Sequence, residues 1–68
     1  MTEQGTVRWF SKLRGYGFVL AQDGTELFVH FSDIQMEGYR NLEEGERVSF
    51  VRENTSKGPK AVCVSKVR

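Results

Sequence analysis

Sixty-eight residues make a single domain, 1–68, that buries only about 60% of its unfolded surface and leaves little room for a deep catalytic pocket beside a core. With 38% hydrophobic and 28% charged residues, and no apolar run near the roughly 18 residues of a membrane span, the composition excludes a disordered tail and a helical membrane protein. A net charge of +1, with a pI of about 7.9, excludes a nucleic-acid binder that works by charge alone.

In chain order, short β-prone segments alternate with turn signals. The first strand is expected over Gly5–Lys12, around Val7, Trp9 and Phe10. Gly15 and Gly17 then bracket Tyr16, and the second strand runs from Tyr16 to Gln22. Asp23-Gly24 predicts a two-residue type I′ hairpin, because both positions of that turn need positive φ. The third strand, Glu26–Phe31, completes an antiparallel meander. Ser32 is placed to cap one short helical turn through Asp33, Ile34 and Gln35, and the rest of Ser32–Glu46 reads as a long loop. A fourth strand is expected over Arg47–Glu53, with Val48 and Phe50 alternating, followed by a polar loop at Asn54–Gly58. The fifth runs over Lys60–Val67, with Val62 and Val64 alternating against polar neighbours. No segment keeps a helical period over three turns. The prediction is an all-β protein: a five-stranded antiparallel barrel, closed so that no strand edge is left exposed, with a short 3-10 turn after the third strand.

Side chains alternate across a strand with period two. Pairing the second and third strands puts Val19, Leu27 and Val29 toward the core and Tyr16, Phe18, Phe28 and His30 on the outer face. Gly15 and Gly17, if on that face, leave the flanking rings unobstructed. Aromatic rings on an open sheet face suit base stacking, worth roughly 1–3 kcal/mol per base, and a duplex hides the base faces that such a surface reads. Arg8, Lys12 and Arg14 lie in or beside these strands, placed to follow phosphates, and Trp9 and Phe10 extend the platform across the first strand. The competing reading is a two-sided core, with the rings covered by the Ser32–Glu46 loop and the basic residues forming an ordinary solvated face.

The remaining chemistry is sparse. Cys63 is the only cysteine and His30 the only histidine, so no internal disulfide, metal site or cofactor is expected. No nucleophile or carboxylate is patterned with His30 as a triad requires, and Gly15-Tyr16-Gly17 lacks the lysine and spacing of a phosphate-binding loop. Charge is uneven: Lys57, Lys60, Lys66 and Arg68 make the C-terminal segment basic, whereas Asp33, Glu37, Glu43, Glu44 and Glu46 make Asp33–Glu46 acidic. The N-terminus, Met1-Thr2-Glu3-Gln4, lacks a signal-peptide core, which points to the cytoplasm.

Several ordered segments resemble the cold-shock domain family of bacteria. They are Val7-Arg8-Trp9-Phe10, Arg14-Gly15-Tyr16-Gly17-Phe18-Val19 and Leu27-Phe28-Val29-His30-Phe31-Ser32, then Glu37-Gly38-Tyr39, Leu42-Glu43-Glu44-Gly45, Val48-Ser49-Phe50 and Lys57-Gly58-Pro59. The second and third look like that family's two ribonucleoprotein motifs. The resemblance spans roughly Gly5 to Val67 and implies an OB-type barrel that binds single-stranded RNA and DNA with little sequence specificity, keeping RNA unpaired as a chaperone. It further implies a platform of Trp9, Phe10, Tyr16, Phe18, Phe28, His30, Phe31 and Tyr39, basic contacts from Arg8, Arg14 and Lys57, and an acceptor for base edges at Glu26. Lys12 and Lys60 join the basic set from their positions. Alternation alone turns Phe31 and one of Trp9 or Phe10 inward, so a β-bulge or a turn at a strand end is required. Four features depart from the family's pattern: Ser11 in place of a usual Asn, Leu13 in place of a polar residue, extra basic residues at Lys12, Arg52, Lys60 and Arg68, and Cys63 in the last strand.

The expected partners are therefore single-stranded RNA and single-stranded DNA, with no membrane and no small-molecule substrate. The expected state is a monomer, with strand exchange or a Cys63–Cys63 link as the open alternatives. The runner-up function is an SH3-like barrel that takes proline-rich peptides in its aromatic groove. It accounts for exposed rings but not for the basic residues around them.

Overall fold

The structure, a computed structural model, describes residues 2–35 and 42–67. Five strands follow in chain order: β1 (Glu3–Ser11), β2 (Tyr16–Ala21), β3 (Glu26–His30), β4 (Arg47–Thr55) and β5 (Gly58–Lys66), with a 3-10 turn at Phe31–Asp33. They close into a barrel in the order β1-β2-β3-β5-β4. Four of the pairings are antiparallel; the fifth, between β3 and β5, is a short parallel contact that sets Phe28 opposite Lys60.

The core follows from alternation. Val19, Leu27, Val29, Val48 and Phe50 all point inward and are buried, joined by Val7, Ala21, Ile34, Leu42, Ala61 and Val64. Among the described residues no polar or charged side chain is buried, so the inside is held by apolar packing and the outside is free to carry chemistry.

Two bulges break the period. Between Val7 and Trp9 the β1–β2 register slips by one residue, so Arg8 and Trp9 both face outward and Phe10 turns in to pack against the core. A second slip in β5 lies between the pairs Ser49–Ser65 and Val51–Val62. Cys63 adopts a positive φ of 53° there and is exposed, and the inward positions become Ala61 and Val64. The expected inward pairing of Val62 with Val64 is thereby corrected: Val62 is only half-buried.

Three turns also differ from expectation. The β2–β3 hairpin does not use a two-residue type I′ turn. Gly24 donates to the Ala21 carbonyl at 3.0 Å, Ala21 donates to that of Thr25 at 2.8 Å, and of the two expected positive-φ positions only Gly24 has one. This is a three-residue loop ending in a left-handed glycine. The 3-10 turn begins two residues earlier than predicted, and its cap is His30, not Ser32: His30 Nδ1 accepts from the Ser32 backbone N–H at 3.3 Å. β4 runs on to Thr55 and pairs directly with Gly58, which reduces the predicted Asn54–Gly58 loop to a tight turn.

Candidate nucleic-acid interface

The outer face of β1, β2 and β3 carries a continuous set of rings. Tyr16 and Phe18 alternate with the inward Gly17 and Val19, and their cross-strand partners on β3 are His30 and Phe28. The β1 bulge adds Trp9 beside Phe18. Ring centroids lie 5.5 Å apart for Trp9–Phe18, 5.8 Å for Trp9–Tyr16 and 5.8 Å for Phe18–Phe28. Tyr16 and Phe28 are stacked at 5.7 Å with 30° between planes. These spacings fall in the range where aromatic pairs attract, so the rings hold one another in place while their outer surfaces stay open. Trp9, Phe28 and Phe31 are 42%, 36% and 45% exposed. Such exposure of large rings does not fit a two-sided core, and among the described residues nothing covers them.

Two glycines set this geometry. Gly17 is not an outer-face spacer. It is buried and faces β1, where a Cβ would run into the Trp9 carbonyl oxygen and the Phe10 backbone. Gly15 has φ of 79°, and a Cβ on it would lie 2.9 Å from the Phe31 ring. The Phe31 N–H donates to the Gly15 carbonyl at 2.8 Å, which brings that ring over the β1–β2 turn. The 3-10 turn thus lifts Phe31 out of the strand alternation and sets it 4.8 Å from the His30 ring. With Nδ1 accepting from Ser32, His30 is oriented by its own cap. Phe10 is half-buried and contributes an edge beside Trp9 more than an open face.

The basic residues are distributed around the rings, and most already have a partner. Arg8 Nε lies 3.4 Å from Glu26, reaching over β2 on the outer face. The Arg14 guanidinium donates to the Tyr16 hydroxyl at 3.4 Å, a contact that raises its already high pKa. Lys60 Nζ stands 3.8 Å from Asp33 and 4.0 Å from Glu53. Lys57 is exposed at the β4–β5 turn. Lys12 lies with Trp9 and Phe10 around a shallow depression whose other wall is Leu42, Glu43 and Glu44. Cations and carboxylates therefore alternate around the platform, with Lys57, and Lys60 beside Asp33 and Glu53, on one side and Lys12 beside Glu43 and Glu44 on the other.

A groove of about 530 Å³ runs off the platform between Phe18 and Phe28 on one wall and Thr55, Lys57, Gly58, Pro59 and Lys60 on the other. Thr55 and Pro59 were not among the residues expected from sequence. Their place depends on the β3–β5 closure, which sets the β4–β5 hairpin beside β3 and which no local pattern announces. Tyr39 lies outside the described residues.

Comparison with known proteins gives this geometry its setting. The 'Cold-shock' DNA-binding domain model matches residues 3–67. The chain belongs to the cold-shock domain family. Cold shock protein 1 of Lactiplantibacillus plantarum is 48% identical over 62 residues, covering 91% of this chain and 94% of that one. The cold shock-like protein of Aquifex aeolicus is 50% identical, with 90% and 89% covered. The major cold shock protein of Streptococcus pyogenes serotype M1 is 45% identical over 64 residues, with 94% and 96% covered. Among solved structures, a Drosophila Unr fragment, CSD456, superposes with a TM-score of 0.81 over the whole of this chain and 27% of its own. At 22% identity that likeness speaks for the cold-shock barrel alone.

Proposed function

We propose that this cold-shock domain binds single-stranded RNA and single-stranded DNA with low sequence specificity and acts as an RNA chaperone. The observation that carries the reading is the outward-facing ladder of Trp9, Tyr16, Phe18 and Phe28, exposed at Trp9 and Phe28 and half-buried between them, with neighbouring centroids 5.5–5.8 Å apart. Bases stack on such rings regardless of identity. Phe31, His30 and the Phe10 edge extend the platform, Tyr39 is assigned to it by resemblance, and the groove beside Phe28 receives one splayed base. Phosphates are met by Lys57, Lys60, Lys12 and Arg14, and by Arg8 once Glu26 releases it. Capture of the unpaired state draws a hairpin open by mass action, with no nucleotide hydrolysis.

The protein is read as a monomeric cytoplasmic domain that binds rather than catalyses. An SH3-like peptide barrel is not favoured, because the chain's family is that of cold-shock proteins and its rings are edged by lysine and arginine. Titration by Trp9 fluorescence tests the proposal. Single-stranded pyrimidine oligonucleotides should quench it, while duplex of the same sequence and a proline-rich peptide should not. Equal quenching by duplex and single strand would remove base stacking as the mode of binding. Cleavage of labelled RNA in the presence of magnesium would overturn the non-catalytic reading.

A further inference from the structure

We propose that Leu13 is an apolar wedge that unstacks the closing base pair of a nucleic-acid stem where a bound single strand leaves the aromatic platform; the inference rests on the single-strand reading above. Leu13 is 96% exposed, at the tip of the turn between β1 and β2. The other exposed large apolar side chains, Trp9, Phe28 and Phe31, belong to the platform, so among the described residues Leu13 is the one that stacking does not explain.

The tip is firmly held. Gly15 N–H donates to the Ser11 carbonyl at 2.7 Å and Arg14 N–H to Ser11 Oγ at 3.2 Å. The Gly15 carbonyl accepts from Phe31 N–H at 2.8 Å, and the Arg14 side chain is tied to the Tyr16 hydroxyl. Leu13 therefore stands two residues from the glycine over which the Phe31 ring lies, at one end of the row of rings, with Lys12 and Arg14 on either side of it in sequence.

Apolar side chains placed between base steps unstack them and gain by leaving water, a gain that a charged residue at the same position forgoes. A strand stacked along Trp9, Tyr16 and Phe31 delivers its next, still paired nucleotide to this tip. There it meets leucine, while the adjacent cations meet the phosphates of the stem. The role assigned to Leu13 is thus in opening stems and not in holding strands already single.

The experiment uses a hairpin with a single-stranded tail and a fluorophore–quencher pair on the stem, and, separately, the tail oligonucleotide alone. Leu13→Ala should lower hairpin opening by about three- to ten-fold, the scale of burying part of a leucine side chain, and leave affinity for the tail within about two-fold. Leu13→Lys should raise affinity for the tail and still lower opening. Unchanged opening in Leu13→Ala, a parallel loss of both readouts, or better opening in Leu13→Lys would overturn the wedge; the last would make charge the cause. Failure of the unmodified protein to bind the tail would sink the stacking reading itself, and the wedge with it. Exposure of Leu13 makes both variants compatible with the fold.

Discussion

Arg8 on β1 and Glu26 on β3 form an ion pair across β2, with Nε 3.4 Å from the carboxylate and both side chains more than half exposed. A cation proposed to meet the bound strand is thus partly neutralised in the free protein. Glu26→Gln should release Arg8, raise affinity for single-stranded oligonucleotides several-fold, and steepen the slope of log K against log salt by about 0.7 from an expected roughly −2 to −3 for three or four phosphates. Titrations between 50 and 200 mM salt measure it. A loss of affinity confined to bases with exocyclic amines would instead place Glu26 on a base edge. Folding stability should change by no more than about 1 kcal/mol, as for other exposed pairs.

Phe28 is the ring that borders both the platform and the groove beside Pro59. Phe28→Ala should weaken single-strand binding by about 1–3 kcal/mol with the fold retained, because the side chain lies outside the core. Circular dichroism checks the fold and Trp9 quenching the affinity. Affinity like that of the unmodified protein would count against stacking.

Arg52 is the clamp of the opposite surface. It donates to both carboxylate oxygens of Glu3 at 2.9 and 2.8 Å, to Asp23 at 3.1 Å and to Thr25 at 3.4 Å, tying β4 to β1 and to the β2–β3 turn. Arg52→Met should lower the melting temperature by a few degrees without altering nucleic-acid affinity. Asp23 supplies the pH dependence. The Thr25 backbone N–H first, and then Arg52, hold its carboxyl below the ordinary value of 3.8. A carboxyl with a depressed folded pKa stabilises the fold above its unfolded pKa, and that contribution fades as pH falls through the folded value. Asp23→Asn should therefore be less stable than the unmodified protein at neutral pH, with the difference closing below about pH 4. Thermal melts from pH 7 to pH 2 follow it, and a gap that stayed constant would dissociate Asp23 from the acid limb.

Cys63 occupies the left-handed backbone region at the β5 bulge, with φ of 53°. For a residue with a Cβ this costs roughly 1–2 kcal/mol, which glycine escapes. Cys63→Gly should stabilise the barrel by up to about 1 kcal/mol after its larger unfolded-state entropy is counted, and Cys63→Val should destabilise it. Urea unfolding of the two variants gives the comparison. A stabilised valine variant would show that the bulge shifts register to accommodate it.

Much of the aromatic outer face was legible because strand alternation is a local rule. Val19, Leu27 and Val29 go in, and Tyr16, Phe18, Phe28 and His30 go out, as period two requires. What escaped that rule depends on how strands meet. Which of Trp9 and Phe10 faces outward is decided by a one-residue slip against β2, and Val62 loses its inward place to a similar slip against β4. Gly17 is required by the backbone of a neighbouring strand rather than by its own turn. Arg52, which looked like added positive charge, is absorbed by Glu3, 49 residues away in sequence, and by Asp23. Thr55 and Pro59 enter the groove only through closure of the barrel. Partners distant in sequence leave no trace in a single chain, whereas the family's ordered segments pointed to Trp9 and Phe31 where alternation alone did not.

Among the described residues the β3–β5 contact, with Phe28 facing Lys60, is the shortest pairing in the barrel, so local opening is expected to begin along this seam. The same two residues flank the groove proposed to receive a base. A strand lying there acts as a rivet across the joint. Occupancy should reach the whole molecule as slower amide exchange along β3 and β5, so that a protein with a small core is firmest when it is at work.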